Sequence, residues 1–429
     1  MLLPRELLAW IARCSWSATP MRHPALNADL EAAFASGALL RPSPEQPDLV
    51  HLTRVLARFA GVTRWQSASA AEQTLAADLG PARHVVFILL DGMGMNLIRR
   101  LAADAFMLRH LRRSIRATCP STTACALTSI ATGSWPTQHA VTGWYTHLPE
   151  RGFTLLTLPM IERFSGKPLS DHGLTPGDVL PITAYHAEMT LAPLTLMPKP
   201  LRDTAYARYS RAGTEAVGYG SVSEAVDLAI AHVRAAGERS YTHVYVPDVD
   251  TACHHHGIAA PSVTELMARI DSEIARLRAG LPDDARIVIT ADHGLLDVPE
   301  SNHMTLWAND AIMEQLEVPP SGDARLPVFH VKAGAADAFS ERFQALFGHG
   351  MALVPSDQAH ELGLFGPGPV SDVARRRFGD FVGVPYRPVT LHYAIPEPPG
   401  PPASTRHGVY VAQHGGLSPE ELEIPLVVA

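Results

Sequence analysis

The stretch His84-Val85-Val86-Phe87-Ile88-Leu89-Leu90-Asp91-Gly92 decides the fold. Between His84 and Asp91 the run is apolar without a break, and Val85, Val86 and Ile88 are β-branched. Continuous rather than alternating apolarity marks a strand buried on both faces, as in a parallel sheet. Asp91-Gly92 ends the run and helical spacing follows over about 95–111, so the unit reads strand, loop, helix. The texture returns at Thr242-His243-Val244-Tyr245-Val246, ahead of a helix predicted over 262–279. It returns again at Arg286-Ile287-Val288-Ile289-Thr290, ahead of Ala291-Asp292-His293-Gly294. Strands alternating with helices predict an open α/β sheet, whose ligands gather beyond the C-terminal strand ends.

Residues 1–78 read as a helical N-terminal extension, with apolar spacing over Leu49–Leu56 and an Ala-rich run at 68–78. They carry no recognisable chemistry and predict a packing or oligomerisation role. The opening MLLPRELLAWIARC holds Arg5 and Glu6 inside its apolar run, which predicts a short amphipathic helix rather than an export signal. Met21 offers a second plausible start. Residues 79–429 form the predicted core. Within it, the Pro-, Thr- and Leu-rich 145–215 and the irregular 300–400 are expected to be insertions capping the strand ends. There is no internal repeat.

Composition narrows the class. Of 429 residues, 46% are apolar and 18% charged, enough to bury a substantial core and too apolar for a disordered chain. Acidic residues outnumber basic ones 43 to 35, which disfavours a nucleic-acid polymer as partner. No apolar run reaches the ~18 residues of a membrane span. Four scattered cysteines, Cys14, Cys119, Cys125 and Cys253, suit neither a disulfide framework nor a CxxC zinc ribbon. They fit a reducing compartment, and the cytoplasm is the expected location.

Three predicted strands end in aspartate: Asp91, Asp250 and Asp292. A lone aspartate there is an ordinary turn or cap residue. Here, however, Asp250 precedes His254 by four residues, Asp292 adjoins His293, and His414 follows in Gln413-His414-Gly415-Gly416, just past a β-like 408–411. Carboxylate and imidazole without thiolate suit Zn²⁺, with Mn²⁺ or Fe²⁺ next. Six such ligands suffice for two ions, which about 4 Å apart would clamp a phosphoryl group in transfer. Cys119-Pro120-Ser121-Thr122-Thr123 breaks the chain and opens a helix with a hydroxyl cluster. That is either a plain N-cap box or a source of one hydroxyl nucleophile at the positive end of a helix.

LLDGMG, PSTTACALTSIATG, YVPDVDTACHHHG, TADHG and QHGGLSPEELEIPLVV, in that order and spacing, resemble the alkaline phosphatase superfamily, in its type I phosphodiesterase/nucleotide pyrophosphatase branch. The likeness covers roughly 83–145, 240–300 and 404–429. It implies an α/β, three-layer sandwich with a mostly parallel central sheet and cap insertions. It also implies one metal on Asp250, His254 and His414, and a second on Asp91, Asp292, His293 and the nucleophile. Counting back from Thr132-Gly133, the family's nucleophilic threonine falls on Thr123, with Thr122 and Ser121 as the alternatives of register. Asp248 is the alternative to Asp250, but only Asp250 keeps the four-residue step to His254; His255 and His256 are expected outside the ligand set.

The implied activity is hydrolysis of a small phosphate ester, a phosphodiester or nucleotide pyrophosphate, through a threonyl-phosphate. The alternatives are a phosphomonoesterase or phosphonate hydrolase on the same scaffold, a mutase, and a non-catalytic binding protein. Three departures put nucleotide specificity in question: Ala126 stands three residues after Thr123 where nucleotide pyrophosphatases carry an asparagine, His139-Ala140 where the family has His-Gly, and Trp144 where an asparagine often follows. The sulfatase motif C/S-x-P-x-R is missing at Cys119-Pro120-Ser121-Thr122.

Overall fold

The computed structural model describes residues 27–396 and 410–429. The amphipathic helix expected at the N-terminus and most of the proline-rich run near 400 lie outside them. The central sheet has seven strands: β1 His84–Leu90, β2 Leu111–Arg116, β3 Leu194–Pro198, β4 Ala216–Tyr219, β5 Ser240–Val246, β6 Ala285–Thr290 and β7 Glu423–Val428. Their order across the sheet is β2-β7-β6-β1-β5-β3-β4. The pairings of β1 with β5 and β6, and of β3 with β4 and β5, are parallel, and β7 alone runs against its neighbours. Every residue of β1 is buried, as continuous apolarity requires of a strand covered on both faces. The result is a three-layer α/β sandwich.

Register is what positions the site. His84 pairs with Ser240 and Ala285, and the ladders run in step to Leu90, Val246 and Thr290. The three strands therefore end level, and the residues that follow them meet at one edge. Because β7 is antiparallel, its beginning lies at that same edge, and the loop leading into it delivers residues 414–418 there.

The helix Pro261–Gly280 buries Val263, Met267, Ile270, Ile274 and Leu277, a stripe at helical spacing. The single helix expected over 95–111 is instead two short ones, Met95–Ile98 and Phe106–Arg109. Asp271 explains the restart: its carboxylate accepts from the Phe106 and Met107 N–H groups at 2.8 and 2.7 Å, capping the second helix from outside.

The helices Ala28–Ser36, Leu49–Phe59 and Ala70–Leu79 are no separate unit, because Leu30, Leu49, Leu52, Leu56 and Leu75 join the main core. They also hold the helix Thr123–Thr132 from its far end. Asp48 accepts from the Trp135 indole at 2.7 Å, and Arg54 donates to the Gly133 carbonyl at 2.8 Å.

The stretches expected as caps divide differently. Residues 194–198 belong to the central sheet as β3, with β4 at 216–219 beyond it. Residues 145–162 and 321–385, far apart in sequence, share a second sheet of seven strands whose pairings are all antiparallel. Gly322 meets Tyr145 at their junction. No helix of the described residues is long and apolar enough to cross a membrane.

A buried ion pair ties this second sheet to the loop before β7. Arg325 Nε and Nη2 donate to the two Glu421 oxygens at 2.6 and 2.8 Å, and Glu421 also accepts from the Gly416 N–H at 2.8 Å. Arg325→Met leaves that carboxylate buried without its cation and is expected to cost about 3–5 kcal/mol in urea unfolding. The double replacement Arg325→Met with Glu421→Met should recover much of the loss. A single-variant cost under about 1 kcal/mol would show that the pair does not hold the two parts together.

Candidate active site

Level strand ends bring acids together. The Asp91 N–H donates to the Val246 carbonyl at 2.9 Å, and the Asp250 N–H donates to the Asp91 carbonyl at 3.1 Å. Between them Gly92 has φ +74°, and a Cβ there would come within 2.9 Å of the Asp250 Cα, so only glycine lets the chains pass this closely. Asp292 Oδ1 accepts from the Gly92 and His293 N–H groups at 3.0 and 2.9 Å, while the Tyr245 hydroxyl donates to Asp91 Oδ2. Each aspartate thus spends one oxygen, or none, on the protein. Asp91 Oδ1, Asp250 Oδ1 and Asp292 Oδ2 are buried with no hydrogen-bond partner among the described residues.

The histidines are oriented to complement them. Nδ1 of His254 faces the Ala412 carbonyl at 2.8 Å, Nδ1 of His293 the Gly294 carbonyl at 3.1 Å, and Nδ1 of His414 the Ser121 carbonyl at 3.1 Å. A carbonyl can only accept, so each Nδ1 carries the proton and each Nε2 keeps a lone pair for the site. His254 lies one helical turn after Asp250 on the helix Asp248–His256, with Nε2 3.3 Å from Asp250 Oδ1. His414 Nε2 reaches the same oxygen at 4.0 Å. His293 Nε2 lies 3.6 Å from Asp91 Oδ1 and 3.4 Å from Asp292 Oδ2. The His293 and His414 rings stack at 3.9 Å.

Two overlapping donor sets result, Asp250/His254/His414 and Asp91/Asp250/His293, each with its ligand atoms within 4.8 Å of one another. Asp250 belongs to both. Asp91, Asp292 and His293 are buried, whereas Asp250, His254 and His414 are half-buried, so the side held by Asp91 and His293 is enclosed and the Asp250/His254/His414 side opens toward solvent.

Electrostatics point the same way. Burial, then the neighbouring Asp292 and Asp250, pushes the Asp91 carboxyl well above its ordinary range, and burial raises Asp250. Burial, with His293 and His254 alongside, drives His414 well below the usual imidazole value. Crowded carboxylates with imidazole Nε2 atoms aimed among them are the surroundings a divalent cation reverses in sign. Oxygen and imidazole donors without thiolate fit Zn²⁺, Mn²⁺ or Fe²⁺.

Of the three hydroxyls, Thr123 faces this centre. It is the first residue of its helix, and its Oγ1 lies 3.1 Å from His293 Nε2. Ser121 is occupied elsewhere, donating to the Gly416 carbonyl at 2.8 Å and accepting from the Gly415 N–H at 3.2 Å. The Thr122 hydroxyl engages Asp323. Asp248 is exposed and lines a surface cleft with His255 and His256, away from the clustered donors. The strand before His414 is Ala412–Gln413, pairing with Leu296–Asp297, somewhat later than the β-like pattern placed it.

Two participants escaped the sequence reading. Asp323 accepts from the Trp144 N–H at 2.9 Å and reaches the Thr122 hydroxyl, and burial lifts its carboxyl to about 6. It lies in a strand of three residues with no pattern to announce it. Tyr245 is the other: its strand was read only as an apolar run, and it is the pairing of β5 with β1 that brings its hydroxyl to Asp91.

Residues 85–346 match the family described as type I phosphodiesterase / nucleotide pyrophosphatase. Similar solved structures include murine ectonucleotide pyrophosphatase / phosphodiesterase 5, at 14% identity and TM-score 0.57, covering 80% of this chain and 87% of that one. The human protein of the same name matches at 13% identity and TM-score 0.56, with the same coverage. Phosphonoacetate hydrolase from Sinorhizobium meliloti 1021, solved with phosphonoacetate, matches at 18% identity and TM-score 0.53, covering 81% of this chain and 90% of that one. At these identities the likeness is one of fold. No curated protein matches the chain in sequence.

Tyr245→Phe removes only the hydroxyl that orients Asp91. It is expected to weaken Zn²⁺ binding about 10–100-fold in competition with a chelator, at unchanged urea stability. Unaltered affinity would mean that Asp91 is held without it.

Proposed function

The chain belongs to the type I phosphodiesterase / nucleotide pyrophosphatase family, and from that premise we propose that it hydrolyses small phosphate esters, diesters foremost, through a threonyl-phosphate at Thr123. The supporting observation is the place of Thr123 Oγ1, at the positive end of its helix and 3.1 Å from His293 Nε2, beside three carboxylate oxygens that lack partners. Asp250, His254 and His414 would hold one divalent cation; Asp91, Asp292, His293 and Thr123 would hold a second, with Zn²⁺ the best match and Mn²⁺ or Fe²⁺ next. When bound, such ions lower the pKa of coordinated hydroxyl and water and neutralise charge building on the phosphoryl oxygens.

The protein's own part is orientation. The helix fixes Thr123 for in-line attack on phosphorus, and the leaving group departs toward the half-open side where Asp250, His254 and His414 lie. Water then attacks the phosphothreonine from that vacated side and regenerates the hydroxyl. The Nδ1–carbonyl bonds hold the three imidazoles in the tautomer this requires. Cytoplasmic placement has one support, the buried and unpaired Cys119, Cys125 and Cys253, which suit a reducing compartment.

The test is hydrolysis of bis(4-nitrophenyl) phosphate beside 4-nitrophenyl phosphate, by zinc-loaded and chelator-stripped protein. The diester should be preferred and turnover lost on stripping; preference for the monoester would move the enzyme to phosphatase chemistry on the same centre. Thr123→Ala should lower kcat by more than about 10³-fold while still binding metal. Wild-type-like turnover in that variant would sink the assignment.

A further inference from the structure

Behind the candidate centre lies a cavity of about 350 Å³ that the proposed reaction leaves unexplained. It sits between one face of the central sheet and the helix that begins at Thr123. Leu127, Ile130 and Ala131, one face of that helix, form its roof, and Thr195 and Met197 of β3 with His243 and Tyr245 of β5 form its floor. Tyr245 is a shared wall: its ring lines the cavity while its hydroxyl bonds Asp91. Leu127 lies one helical turn from Thr123. Along β5, His243 is two residues from Tyr245, about 6–7 Å farther from the strand ends.

The lining is overwhelmingly apolar, and its polar groups neighbour one another: Thr195 pairs with His243 across β3 and β5, and His186 is near enough to feel Arg211 and to act on His243. His186 Nδ1, Thr195 Oγ1 and His243 Nε2 are buried atoms with no hydrogen-bond partner among the described residues, and all three residues line this one cavity. His186 and Thr195 are each only 5% exposed. Native proteins rarely leave such groups unpaired, because each costs about 1–3 kcal/mol. Burial holds His186 near 4 and His243 near 3, so both are neutral donors and acceptors at pH 7. Arg211, 7% exposed, lines the cavity too. Its Nε and Nη1 donate to the Thr214 and Arg202 carbonyls, and Asp203, the acid acting on it, pairs with Arg202 instead.

We infer that this cavity binds the organic group of the substrate, and that this group is an apolar chain or ring ending in an anionic oxygen acceptor, chemically an aryl- or alkyl-carboxylate. The apolar roof takes the body, and His186, Thr195, His243 and Arg211 take the polar end. A ribose, with hydroxyls along its length, would meet Leu127, Ile130 and Met197 where it needs partners. The inference rests on the proposed hydrolase reading for the word substrate, but the binding site itself does not.

The probe is 4-phenylbutyrate, titrated calorimetrically into full-length, chelator-stripped protein so that binding is read without metal or turnover. Saturable binding of one molecule per chain is expected, weakened at least tenfold in Arg211→Gln and in Ala207→Phe, which fills the cavity. Ser210→Phe, at a half-buried lining position, serves the same purpose should Ala207→Phe fail to fold. In the zinc-loaded enzyme the probe should compete with bis(4-nitrophenyl) phosphate, raising KM with kcat unchanged. No saturable binding, or binding indifferent to all these variants, overturns the site; binding without competition overturns its assignment to the substrate. Saturable binding by a protein that turns over no phosphate ester would sink the hydrolase reading and leave the ligand site standing.

Discussion

The structure depends on a concentration of negative charge that its own hydrogen bonds do not satisfy. Three aspartates end at one sheet edge because β1, β5 and β6 run in register, and each leaves an oxygen buried and unpaired. An isolated buried carboxylate costs several kcal/mol, and neighbours of like charge add to it. A protein that keeps such a cluster must return the cost through a bound cation or by carrying protons. Imidazole lone pairs aimed into the cluster favour the cation.

Much of the remaining architecture serves to hold that edge. The antiparallel β7 brings His414 into reach, and the Arg325–Glu421 pair fixes the loop on which it travels. Ser121 bonds the same loop from the other side, so the hydroxyl segment and the His414 segment are mutually located. The N-terminal helices matter for the same reason: through Asp48, Arg54 and Trp135 they steady the far end of the Thr123 helix.

The parts of this legible in the sequence were those governed by local rules. Continuous apolarity identified β1, and the four-residue step from Asp250 to His254 was readable, although it suggested a loop where the structure has the helix Asp248–His256. The family resemblance put the threonine at Thr123, with Thr122 and Ser121 as alternatives of register, and the Thr123 hydroxyl is the one the fold turns toward His293. What stayed hidden was long-range. Nothing local tells that 145–162 and 321–385 share a sheet, that β3 returns to the central sheet from within an apparent cap, or that Asp323 arrives beside Thr122. The break at 99–105 was equally invisible, because the cap that restarts the helix comes from Asp271, far along the chain.

On the proposed reading, the acids, imidazoles and helix terminus gathered around Thr123 make its hydroxyl the acceptor of the phosphoryl group. The direct measurement is mass spectrometry of zinc-loaded enzyme quenched in acid during turnover of bis(4-nitrophenyl) phosphate. The account predicts the added mass of one phosphoryl group on the peptide containing Thr123, localised to that residue. Steady turnover with the added mass on a histidine would contradict it.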